Sequence, residues 1–289
     1  MPGDAVALAL AAAGFFGLAL VLTPFGLRHL APLQAAAVSV PTTAAAFLLI
    51  SPLTVDWRAA AWPAVLVFAG VGLLFPATVT MLTFAANRRL GPHVTGALGN
   101  LTPLFAVLLA ALLLGEVPGW GQAAGILVVV AGATVLVLGS ARGATVPAGS
   151  ALLLPLAAAL VRGLVQPAVK IGFETWPDPY AAATVGYLVS AAVVTGFAAA
   201  RGGLPSPRAD RAGILWFAAV GLCNGAAVVT LYAALARGPV ALVAPLVATY
   251  PLATLALGAV VLRGVRIGPR VALGVAVTVA GVALLLAGR

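Results

Sequence analysis

Apolar residues in this chain come in long unbroken runs, with polar residues gathered into short punctuations between them. Two runs, about 91–114 and 118–138, are each close to the roughly 20 residues a helix needs to cross a bilayer. Only Glu116-Val-Pro-Gly119 separates them, so the chain must turn back at once as an antiparallel helix pair. The same pattern predicts ten spanning helices, at about 5–27, 32–50, 63–86, 91–114, 118–138, 149–171, 178–200, 212–236, 239–262 and 268–287. The stretch 139–148 is the linker near the chain's midpoint, and RGGLPSPRADR at 201–211 is the most polar loop.

The runs repeat. Gly91-Pro92 aligns with Gly238-Pro239, Pro103 with Pro251, and Val130-Ala-Gly132 with Val279-Ala-Gly281. GLALVLTPFG (17–26) parallels GLVQPAVKIG (163–172), and Phe68-Ala-Gly-Val-Gly72 parallels Phe217-Ala-Ala-Val-Gly221. The chain therefore reads as two five-helix units, 1–140 and 149–289. Five is odd, so the second unit enters the membrane in the opposite sense, which makes an inverted repeat. The first run has too long an apolar stretch for a signal peptide and carries Asp4 where a basic residue belongs. Its partner in the second unit marks it as a retained first helix.

The segment TPLFAVLLAALLLGEVPGWGQAAGILVVVAGA resembles the repeat of EamA-type transporters in the drug/metabolite transporter superfamily. The resemblance is carried by Pro103, the Leu114-Gly115-Glu116 turn, Gly125 and Gly132. In the second unit Arg263-Gly264 stands where the first has Gly115-Glu116. The resemblance implies an all-α integral membrane protein of ten helices in two inverted repeats. It also implies a central cavity surrounded by helices 1, 3, 4, 6, 8 and 9.

Composition agrees with a membrane bundle: 63% of residues are apolar and 7% charged. The net charge of +9 does not call for nucleic acid as a partner, because the charges sit at segment ends, where loop topology accounts for them. One cysteine, Cys223, and two distant histidines, His29 and His93, leave no metal site to expect. No phosphate-binding glycine loop is present, and no cofactor is expected. No Asp or Glu is predicted within a span. The partners expected are a small-molecule substrate and the bilayer, with the protein a monomer or weak homodimer in a prokaryotic inner membrane.

Orientation is where two arguments diverge. Arg58, Lys170, Arg237 and Arg289 lie on the side of the N-terminus. Opposite them lie Arg28, Arg88, Arg89, Arg142, Arg201, Arg208, Arg211, Arg263, Arg266 and Arg270. The positive-inside bias then puts both termini outside the cytoplasm, whereas the resemblance implies cytoplasmic termini. A C-terminal reporter active only in the cytoplasm is expected to stay silent on the charge argument, and strong signal defeats it.

Several polar residues fall near helix midpoints, where facing lipid is costly. These are Asn100 and Thr102 on helix 4, Arg162 on helix 6, Asn224 on helix 8 and Tyr250 on helix 9. Two roles are open to the amides and hydroxyls: gluing helices together, or lining a midplane cavity. Arg162, Gln166 and Lys170, spaced four apart, make one polar stripe that reads as an entry path to a central positive site. Pro41, Pro76, Pro103 and Pro251 are expected to kink their helices or serve gating. Pro103 frees the carbonyl of Gly99 and Pro251 that of Val247, with Asn100 or a substrate as partner for the first. Glu116 is expected to favour the positive N-terminus of helix 5. The Gly121-xxx-Gly125 spacing is expected to pack within the protein. The function that fits is a secondary transporter of a small organic metabolite, such as an amino acid or other carboxylate, working by alternating access. A membrane-embedded lipid-modifying enzyme and a channel-like facilitator are the competing classes; the first lacks a visible cluster of acids, nucleophile and base or metal ligands.

Overall fold

The computed structural model describes residues 2–139, 150–206, 210–261 and 268–288, and among these every regular element is helical. The linker and the Arg263-Gly264 position lie outside the described residues. Among the described residues, ten helices are long and apolar enough to cross a membrane. In the first repeat these are α1 (Gly3–Leu27), α2 (Pro32–Thr54), α3 (Trp62–Gly91), α4 (Val94–Leu114) and α5 (Trp120–Leu138). In the second they are α6 (Ser150–Phe173), α7 (Pro179–Ala200), α8 (Arg211–Leu235), α9 (Val240–Val260) and α10 (Pro269–Ala287).

The packing obeys a pseudo-twofold axis that exchanges the repeats. α1 packs on α8 and its mate α6 on α3; α2 packs on α8 and its mate α7 on α3; α4 packs on α6 and its mate α9 on α1. α5 with α10 and α2 with α7 are pairs of mates. The symmetry reaches individual side chains. A Cβ on Gly26 would meet the Phe217 ring at 2.6 Å, and one on Gly172 would meet the Phe68 ring at 2.2 Å. The Thr43 hydroxyl donates to the Gly221 carbonyl at 2.6 Å, and the Ser190 hydroxyl makes the equivalent bond to the Gly72 carbonyl. Gly121 and Gly125 lie against Gly288, just past α10, and Leu285 of α10, within the protein.

Three helices are interrupted at mid-depth, and proline explains each. The residue before a proline is pushed out of the helical region; Phe75 before Pro76 is extended (φ −139°, ψ 132°), and a wide turn spans Leu73–Thr78 of α3. α4 breaks after Gly99 and restarts at Thr102, and α9 breaks after Val247 and restarts at Tyr250. Pro103 and Pro251 thus stand in the first turn of a restarted helix, where a missing N–H leaves no bond unmade. α2 behaves otherwise: it runs as one helix through Pro41 and on to Thr54, past the end expected from sequence.

Candidate functional site

The breaks in α4 and α9 meet beside the middle of α6. Gly163 lets α6 lie almost on the α4 backbone, since a Cβ there would be 2.9 Å from the amide of Ala106. That approach carries the neighbouring Arg162 to the α4 break, with Nη1 3.8 Å from where a Cβ on Gly99 would sit. From α9 the Tyr250 hydroxyl donates to Asn100 Oδ1 at 3.4 Å, bridging the two breaks and the two repeats. The Gly99 carbonyl is satisfied by the Thr102 hydroxyl at 2.8 Å, so neither Asn100 nor a substrate is needed there.

These side chains line one cavity of about 960 Å³, and Gln166 and Asn224 line it too. All six sequence-predicted binding positions therefore share one space, with Pro76 and Pro103; Pro41 and Pro251 do not reach it. Asn100 and Thr102 are buried, and so is Gln166. Phe16 and Leu20 of α1, which align with Arg162 and Gln166 in the other repeat, line the same space. One repeat supplies grease where its mate supplies charge, so the cavity is amphipathic although its frame is symmetric.

Among the described residues, no hydrogen-bond acceptor or acidic side chain pairs with the Arg162 guanidinium, and the titratable group beside it is the Tyr250 phenol. Arg162 is half-buried, and Asn100 Nδ2 and Gln166 Oε1 are buried without a protein partner among the described residues. A buried polar atom left unpaired costs about 1–3 kcal/mol, so these atoms favour a hydrogen-bonding occupant of the cavity, water included.

The cavity reaches the surface at the end away from the N-terminus. It reaches the exposed Leu27, Ala31, Arg88 and Arg201, all at helix ends on the side away from the N-terminus. Sequence reasoning took Arg88 and Arg201 as topology charges and missed their place at this mouth. It also missed Tyr187 and Tyr232, which line the inner wall; the mid-helix polar rule that picked out Tyr250 would have found them. The entry path expected along Arg162, Gln166 and Lys170 differs from what is seen. Lys170 does not line the cavity but is ion-paired with Glu116 at the opposite end. Glu116 serves a helix N-terminus other than the one expected: its Oε2 accepts the Val240 N–H of α9 at 2.6 Å, not an amide of α5.

Ten apolar helices in an inverted repeat, packed around a cavity with a cation at mid-depth, define a multi-pass integral membrane protein. The chain belongs to the EamA-like transporter family, whose model matches residues 4–138 and again 149–287. A solved crystal structure of another protein superposes with a TM-score of 0.80, covering 100% of this chain and 99% of that one at 21% identity, which shows a shared fold. No curated protein matches this sequence.

Asn224 tests whether the cavity wall matters. It sits at the middle of α8, aligned with Phe75 of the α3 break, and lines the cavity. Asn224→Leu keeps the branched outline and removes the amide, so flux is expected to fall at equal expression. Unchanged flux would make Asn224 a packing residue.

Proposed function

We propose that the protein is a secondary transporter that moves a small organic metabolite bearing a carboxylate or other anionic group, by alternating access at the midplane cavity. The observation that carries this reading is Arg162: a guanidinium at mid-depth, facing a cavity, with no acceptor recorded among the described residues. Such a charge is costly in a membrane interior unless something pairs with it. A planar guanidinium suits a carboxylate bidentately, and a substrate that brings the negative charge removes the cost each time it binds. The apolar wall at Phe16 and Leu20 suits the carbon skeleton of the same molecule. Arg88 and Arg201 at the mouth raise the local concentration of anions. The membrane proposed is the prokaryotic cytoplasmic membrane, with the charge bias placing the mouth on its cytoplasmic side.

The test is a thermal-shift screen of the purified protein against organic acids, amino acids and cationic amines, followed by flux in liposomes. A ligand that binds the folded state must stabilise it. Anionic ligands are expected to raise the midpoint and to show saturable flux and counterflow. Stabilisation by cations alone would end the anion reading, and flux that never saturates would favour a channel.

A further inference from the structure

The end of the protein opposite the mouth is sealed, and the seal joins the two repeats. Trp57 meets Trp176 with ring centroids 5.7 Å apart, Phe68 meets Phe173 at 5.9 Å, and Phe47 meets Tyr187 at 5.3 Å. Each pair takes one ring from either repeat. Beside this apolar packing lies an ionic contact. Glu116, in the turn between α4 and α5, holds Lys170 near the end of α6 through one carboxylate oxygen and the Val240 N–H through the other. Lys170 also donates to the Gly238 carbonyl at 3.2 Å. Gly238 in turn lies against α1, since a Cβ on it would be 2.9 Å from Ala5 Cβ. Four segments of the sealed end, from both repeats, therefore meet around one half-buried ion pair.

The pseudo-twofold axis makes the two ends of the protein comparable position by position. Glu116 aligns with Gly264 and Lys170 aligns with Pro24. Neither Gly264 nor Pro24 carries a charge, so the sequence encodes the pair at one end only. In an inverted repeat the two open states arise when the halves exchange conformations, and each state is closed by the mates of the contacts that close the other. An ion pair without a mate stabilises one of those states and not its counterpart.

We propose that Glu116, Lys170 and the first turn of α9 form the lock of a gate at the N-terminal side, and that this lock sets the resting bias toward the state open at the Arg88 and Arg201 end. The proposal rests on the transporter reading in that a gate presupposes a site to guard. Lys170 stands two helical turns from Arg162 on the same helix, about 12 Å along its axis. A substrate that pulls on Arg162 thus acts on the helix that carries half the lock. Glu116 and Lys170 are positioning residues here; neither lines the cavity.

The experiment reads the gate without any substrate, so its failure and failure of the Arg162 reading are separable. In a Cys223→Ser background, Ala5→Cys places a thiol at a fully buried position beside Gly238. A water-soluble maleimide is applied to the protein in nanodiscs. Glu116→Gln keeps an acceptor for the Val240 N–H and removes the charge; Lys170→Gln removes the other charge. Each is expected to raise the labelling rate by about fivefold or more, between what exposed and buried ion pairs contribute. The double variant is expected to label no faster than the faster single, and Lys170→Arg to label at the parental rate. Unchanged rates in the two singles overturn the proposal, as does a double variant whose effects multiply. A second thiol at Ala133→Cys, buried on α5, controls for general loosening. Equal acceleration there also overturns it. Should Glu116→Gln fail to fold, Lys170→Gln and Lys170→Arg carry the test alone.

Discussion

Arg162→Gln is expected to bring transport close to background, while Arg162→Lys retains a reduced rate. Losing one partner of a desolvated, charge-assisted pair costs roughly 2–5 kcal/mol, so the Gln variant should lose about 1.5 to 3.5 orders of magnitude in kcat/KM. Lysine keeps the charge but offers a point ammonium in place of a planar fork, so it weakens binding less and loses geometric selectivity among anions. The prediction separates site from scaffold because the two respond in opposite directions. Removing a charge from mid-depth favours insertion, so the Gln variant should express and melt at least as well as the parent. The Tyr250–Asn100 bond spans the breaks without Arg162, so the local frame survives the change. Normal flux by the Gln variant, or a preference for cationic ligands in the parent, would defeat the anion site.

The frame that holds Arg162 was legible in the sequence because a repeat announces itself twice. Gly26 and Gly172, or Phe68 and Phe217, are single residues of little meaning alone. Aligned, they predict mates, and the structure packs each glycine against the other repeat's phenylalanine. Arg162, Asn100 and Tyr250 were legible for a different reason: a polar group at mid-depth is too costly to face lipid, which leaves few places for it. What the sequence withheld was every contact across the repeats that joins unlike residues. Glu116 and Lys170 are far apart in the chain, and each has an ordinary role as a segment-end charge. Only the α4–α6 packing brings them together. The prolines were visible, but whether one kinks a helix or begins a new one depends on the break beside it. Pro103 and Pro251 restart their helices, and α2 accepts Pro41 without interruption.

Gly132→Ala and Gly281→Ala are expected to destabilise the protein strongly and by similar amounts. α5 and α10 cross as mates, and their glycines interlock reciprocally. A Cβ on Gly132 would lie 2.4 Å from the Thr278 amide nitrogen, and one on Gly281 would lie 2.5 Å from that of Val129. The next pair repeats the arrangement, with Gly125 against Leu285 and Gly274 against Leu136. In each case the atom met is backbone, which cannot swing aside, so a methyl group must push two helices apart along their length. Membrane helices associate through close packing without a hydrophobic drive, so a lost approach is not regained elsewhere. Overpacking of this kind costs about 1–3 kcal/mol per site. Gly70→Ala is the control, because a Cβ there meets nothing within 4 Å. Thermal midpoints in one detergent should fall for Gly132→Ala and Gly281→Ala while Gly70→Ala stays at or above the parent. Equal midpoints for all three would mean that the two repeats are not held together along α5 and α10. A fall for Gly132→Ala alone would mean that the pseudo-twofold does not govern the energetics of that crossing.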